Sequence, residues 1–139
     1  MRTTPVGQAQ PGVVVRAYCF NTDLPGHAVR VLGPRVGGLY QVTKVDIGSA
    51  DPVESVAIGV IASKLSTSTC LVALSGPLVG IYTGLPFGRM LFVGLDSYLS
   101  VTPPPRPTTG GRMLQSVARS IAADVIMVNP GPPTRIVAA

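Results

Sequence analysis

Residues 85–129 read LPFGRMLFVGLDSYLSVTPPPRPTTGGRMLQSVARSIAADVIMVN. Four short apolar pieces stand out in this stretch: Met90–Val93, Tyr98–Val101, Ser116–Ala122 and Val125–Val128. Turn chemistry separates them, at Gly94-Leu95-Asp96-Ser97, Pro103-Pro104-Pro105 and Gly110-Gly111. Each piece is too short for a helix and rich enough in Val, Ile, Leu, Phe and Tyr for a strand. The fold expected from them is all-β.

The composition of the 139-residue chain agrees. It is 46% hydrophobic with only 5% aromatic residues and no Trp, so its apolar content is mainly Val, Ala, Leu and Ile. With 16 Gly and 14 Pro, strands joined by frequent turns are favoured over helices. The length fits one domain with a real core.

The rest of the chain supplies more strands. Residues 1–12 hold Pro5, Gly7, Pro11 and Gly12 and read as an extended N-terminal arm ahead of a single β domain over 13–139. Val13–Phe20 and His27–Leu32 read as the first two strands. Leu39–Ile47 has no purely apolar face, which places it at a sheet edge. Val53–Lys64 is β-branched and carries Gly59. It is read as a strand with a bulge or close contact, against a helix opening at Pro52. Leu71–Leu74 and Leu78–Tyr82 follow, and Arg135-Ile136-Val137 would pair as a last edge strand.

A weak internal repeat runs through these elements. Gly26–Val31 resembles Gly88–Val93, Tyr40–Thr43 resembles Tyr98–Thr102, and Ser55–Ala62 resembles Ser116–Ala123. In both copies an apolar strand follows, Cys70–Leu74 and then Val125–Val128. The offset stays at about sixty residues. Three matches in one order predict two similar β units closing one core, with Leu74–Leu85 as the link: a small antiparallel sandwich or barrel.

Charge narrows the functional classes. Only 12% of residues are charged, with a formal net charge of +5. Soluble surfaces normally carry about 25–35% charged residues, so much weakly polar surface is expected to meet another protein. Nine of the eleven basic residues are Arg, and they lie singly along the chain. No basic run alternates with aromatics, which argues against nucleic acid and for carboxylate-bearing protein partners. Arg2, Arg16, Arg35, Arg89, Arg106 and Arg112 are the candidate interface residues.

Catalytic and metal chemistry lacks a constellation. His27 is the sole His, so no His pair is available, and with Asp23 it would have to serve any triad from across Pro25-Gly26. Asp46, Asp51 and Glu54 lack calcium-loop spacing and read as a solvated acidic loop. Gly84–Arg89 lacks the Lys-Ser/Thr of a phosphate loop and reads as a turn. Cys19 and Cys70 lack metal spacing and read as buried free thiols, with one disulfide as the other reading. Pro103–Pro107 reads as a stiff loop holding strands apart, with a polyproline ligand as the other reading. The uncharged run 65–88 is broken by Gly and Pro, which argues against a spanning helix. No catalytic residue, metal ligand or cofactor is expected.

In order, PGHAVRV (25–31), SVAIGVIAS (55–63), LVALSGPLVG (71–80), GLPFGRMLFVGLDSYLSVTPP (84–104) and MLQSVARSIAADVIMVNP (113–130) resemble small β domains of tailed-bacteriophage virions. Such domains occur in capsid decoration (cement) proteins and in head or tail fibres. The likeness covers about residues 25–129. It departs at Arg119-Ser120, where that family places a Gly, and at Leu95-Asp96-Ser97, where a second turn Gly is the pattern. The resemblance implies a virion structural protein, chiefly a decoration protein that binds the major capsid protein as a homotrimer across shell subunits, assembled in a host cytoplasm. The alternative it implies is a fibre domain binding a receptor or glycan. A hydrolase-like enzyme is the reading of a third class, disfavoured because acid, base and nucleophile constellations are absent.

Overall fold

A computed structural model describes residues 12–138, so all of the expected 1–12 arm except Gly12, with Arg2 in it, lies outside the described residues. The chain is nearly all β, as its composition predicts. The first sheet is a closed barrel of β1 (Val14–Tyr18), β3 (Leu39–Lys44), β2 (Ala28–Val36), β4 (Gly59–Lys64) and β5 (Thr69–Ala73), in that order. Closure comes from a short parallel pairing of β1 with β3 at Ala17↔Tyr40 and Tyr18↔Gln41. This corrects the edge position expected for Leu39–Ile47, since β3 is paired on both sides. The β2–β3 hairpin turns on Gly37-Gly38, with φ of 57° and 80°, the two left-handed positions that such a tight turn requires.

The second sheet is open and antiparallel, in the order β6 (Gly76–Val79), β11 (Val125–Val128), β10 (Ser116–Ala122), β7 (Met90–Val93), β8 (Leu99–Ser100). A separate ribbon joins β9 (Gly111–Leu114) to β12 (Thr134–Val137). One short helix, α1 (Pro52–Ser55), departs from the strand expected over 53–64. Asp51 caps it by accepting from the Val53 amide at 2.9 Å, and Pro52 sits at the helix start, where its missing N–H costs nothing.

The two sheets repeat one plan, register by register. The order β3-β2-β4-β5-β1 is matched by β8-β7-β10-β11-β6. Ala28↔Val60 and Val60↔Ala73 in the barrel have their counterparts in Met90↔Arg119 and Arg119↔Met127. Val14↔Ala73 is matched by Pro77↔Met127, and Val31↔Val42 by Val93↔Leu99. Each copy slips register at the equivalent place, between Ile61 and Ser63 in β4 and between Ser120 and Ala122 in β10. The repeat read from sequence is thus present, with three corrections. Ile61 aligns with Ser120, where the string match sets it against Ala122. Val42 aligns with Leu99, where the match sets it against Val101. The strand expected at Leu78–Tyr82 within the link is β6, Gly76–Val79, and it belongs to the second unit as the counterpart of β1.

Only the first copy closes. The Gly94–Ser97 turn and Pro103-Pro104-Pro105 confine β8 to two residues, too few to reach round to β6. The barrel interior is small enough to be filled by Ala17, Cys19, Val29, Val42, Ile61, Cys70 and Val72. Neighbouring residues on the same strands face outward. Ala28, Val60 and Ala73 pack with Leu78, Leu91, Val93, Ile126 and Val128 from the inner face of the second sheet. Strands β4 and β5 and the start of β2, Ala28-Val29, are therefore buried on both faces, which explains the unbroken apolar runs Val60-Ile61-Ala62 in β4 and Cys70–Ala73 in β5.

Polar side chains pin the layers together. Gln115 bonds both backbone groups of Ala57 and the Gly131 carbonyl. The Tyr82 hydroxyl donates to the Gly26 carbonyl at 2.6 Å and accepts from the Leu99 amide at 2.8 Å, and burial pushes its pKa up to about 12. Ser97, held at φ 69°, donates from Oγ to the Val45 carbonyl while its own carbonyl accepts from the Ala28 amide.

Candidate functional site

The polar groups singled out in the sequence turn inward to hold backbone. Asp23 is fully buried. Its Oδ2 accepts from the Phe20 amide, and its Oδ1 from the Lys44 amide and the Thr43 hydroxyl. His27 is buried at the junction of the two sheets, where Nδ1 accepts from the Leu24 amide and the ring lies 4.1 Å from that of Tyr98. Burial lowers its pKa, aided by the charge of Lys44 and opposed by Asp23 and Asp96. Every acceptor of Asp23 is committed to backbone or to Thr43, so the pair is a folding device at the entry to β2.

The acidic loop is equally self-contained. Asp51 caps α1, Glu54 accepts from the Ser49 hydroxyl, and Asp46 accepts from the Gly48 amide. Among the described residues no group of three or more His, Cys, Asp or Glu is placed to hold a metal ion. Cys19 and Cys70 are free thiols in the barrel. Lys64 caps that end of the barrel, donating from Nζ to Cys19 Sγ at 3.1 Å and to the Phe20 and Thr67 carbonyls.

Among the described residues, the candidate arginines are not gathered into one site. Arg16 lies on β1. Arg35 is at the β2–β3 hairpin, bonded to the Gly38 carbonyl and 4.9 Å from the Tyr40 ring. Arg89 precedes β7, and Arg112 on β9 donates to the Pro105 carbonyl. Arg106 is exposed in a proline loop whose Pro104 and Pro107 are buried, so this loop packs on its own chain.

Exposed apolar side chains occur on the barrel, at Val14, Val31 and Val36 among others, and on the outer face of the second sheet, where they line a groove. In β7, Leu91 and Val93 are buried inward while Met90 and Phe92 point out. In β10, Ala118 and Ser120 are buried while Arg119 and Ile121 point out, and in β11 Met127 alternates with buried Ile126 and Val128. Val79 of β6, 68% exposed, extends the face to its edge. Between this face and the ribbon lies a groove of about 510 Å³, floored by Met90, Phe92, Arg119 and Met127 and walled by Leu114 and Pro132. Among the described residues Arg119 is its only charged lining group. Phe87, 83% exposed, sits just before β7.

Sequence reasoning missed this face because both faces of β7 and β11 are apolar, as they are in the doubly buried barrel strands. The available signal was Arg119, a charge in an otherwise apolar strand. Among the described residues no helix is long and apolar enough to cross a membrane. No protein-family model, curated protein or solved structure matches the chain.

Proposed function

We propose that this chain is a non-catalytic assembly protein of virions, of the capsid decoration kind. The observation that carries the reading is the uncovered outer face of the second sheet, where Met90, Phe92, Ile121 and Met127 surround a single Arg119. An apolar patch of this kind, rimmed by polar groups, marks a protein contact. The fold holds it on a rigid sheet braced from behind by the barrel, a construction suited to bearing load between neighbouring shell subunits. The polar clusters at Asp23, His27 and the acidic loop all serve the fold, in keeping with a part whose work is mechanical.

On this reading the partner is the major capsid protein, bound across subunit junctions by copies arranged as a homotrimer. The test is addition of the purified chain to preformed shells of the capsid protein from the same virus. Stoichiometric binding with a raised shell melting temperature is expected, and absence of binding would overturn the reading. Copy number in purified virions separates it from a fibre: a fibre is present in few copies, a decoration protein in proportion to the shell subunits.

A further inference from the structure

We infer that the outer face of the second sheet takes an apolar protein segment bearing a carboxylate, which lies over Met90, Phe92 and Met127 and pairs with Arg119. This inference rests on the assembly reading above and names the chemistry of the partner at that same face.

The internal repeat gives the argument. Met90, Arg119 and Met127 occupy the registers held in the barrel by Ala28, Val60 and Ala73. Those barrel residues are 0–1% exposed, because the inner face of the second sheet lies over them. The same strand plan thus uses this face for protein packing once within the molecule. In the second copy the corresponding positions carry longer side chains and no covering layer among the described residues. Met side chains are flexible and polarizable, suited to packing against an incoming surface.

Charge then selects the occupant. A second copy of this chain has already spent the inner face of its second sheet on its own barrel, and the inside of that barrel is filled. A two-fold contact of two such outer faces would bring Arg119 against Arg119 at the centre of an apolar patch. Juxtaposed like charges oppose such a contact, and a net charge of +5 opposes it further. The Arg119 side chain makes one hydrogen bond among the described residues, from Nη1 to the Gly88 carbonyl at 3.3 Å, which leaves most of its fork for a planar acceptor. Asp124, in the β10–β11 turn, is the nearest acid in sequence and lies outside the groove lining. A carboxylate flanked by apolar side chains satisfies both halves of the surface.

The test is selection of a display library of random linear peptides on the full chain, followed by binding of the selected peptides to wild type, Arg119→Glu and Met127→Asp, with thermal melts to verify that both variants fold. Enrichment of Asp or Glu between apolar residues is expected. Arg119→Glu should weaken binding about tenfold or more, and Met127→Asp should weaken it as well. Enrichment without acids, no enrichment, or binding indifferent to Arg119→Glu would overturn the inference. Wild-type dimerisation abolished by Met127→Asp would also overturn it, by making a second copy the occupant. Shell binding keeps the two readings apart. Full-affinity shell binding by Arg119→Glu would sink this inference alone. Acidic-peptide binding by a chain that ignores shells would sink the decoration reading alone.

Discussion

Gln115 and Ala57 form a two-point amide pair across the two halves of the molecule. Gln115 Oε1 accepts from the Ala57 amide at 2.8 Å, and Gln115 Nε2 donates to the Ala57 carbonyl at 2.9 Å. The same Nε2 reaches the Gly131 carbonyl at 3.0 Å, and the side chain is buried. One residue between β9 and β10 therefore satisfies backbone groups of the segment leading into β4 and of the C-terminal strand approach. Replacing it with Met keeps the volume but strands buried donors and acceptors. Gln115→Met is expected to cost about 2–4 kcal/mol, read as a lowered midpoint in urea denaturation. A midpoint equal to wild type would show that the pair holds nothing together.

Burial of His27 makes stability depend on pH. Its folded pKa lies below the usual 6.5, chiefly through desolvation and secondarily through Lys44. Above about pH 7.5 both folded and unfolded states hold the neutral ring, and His27 contributes no pH dependence. As pH falls below that value the unfolded chain takes up a proton that the folded chain resists, so stability declines. The urea midpoint should therefore drop between about pH 7.5 and pH 5.5, a window above the ordinary carboxylate range. In His27→Asn, whose side-chain oxygen can still accept from the Leu24 amide, the midpoint should be flatter over that window. An unchanged slope in the variant would assign the pH dependence to another group.

The thiol of Cys70 is pushed up to about 12, first by burial in the barrel and then by the neighbouring Cys19 thiol. The thiolate is the reactive form, so the native protein should leave Cys70 unmodified by iodoacetamide at about pH 8.5, near the pKa of a free thiol. Urea-unfolded chain should be alkylated at Cys70 under the same conditions. Mass spectrometry of the digested protein reads this directly. Rapid alkylation of Cys70 in the native chain would show that the barrel opens readily.

Much of this architecture was legible in the sequence. Met90–Val93, Ser116–Ala122 and Val125–Val128 are strands with the ends that their turn residues imply. The repeat was legible too, although its register was not, because short apolar strings match one another at several offsets and only backbone pairing fixes which is right. Tyr98–Val101 shrank to Leu99–Ser100 beside the prolines. Strand β9 was hidden because its first residue, Gly111, follows Gly110 and the pair reads as a turn. The exposed face was the least legible feature. GVIA in β4 and VIMV in β11 are both unbroken apolar runs, yet β4 is covered on both sides and β11 on one. Which case applies depends on whether another layer lies over the strand, and that is a property of the whole assembly of strands.

The two copies also differ at one backbone contact that a single methyl group can test. Gly59 and Ala118 hold equivalent registers, opposite Val29 and Leu91. In the closed barrel a Cβ at Gly59 would fall 2.4 Å from the Ala73 carbonyl oxygen and 3.0 Å from Val72 Cγ1. The obstructing oxygen belongs to the adjacent strand, so relief requires moving β5 away from β4. The open second sheet accommodates Ala118 at the matching place. Gly59→Ala is therefore expected to destabilise by about 2–3 kcal/mol through overpacking. Ala118→Gly should cost only about 1 kcal/mol, through lost packing and added chain freedom. Urea denaturation of both variants at one pH measures the contrast. Equal costs at the two positions would mean that barrel closure places no special demand on Gly59, and the physical reason offered for a glycine at the start of β4 would fall with it.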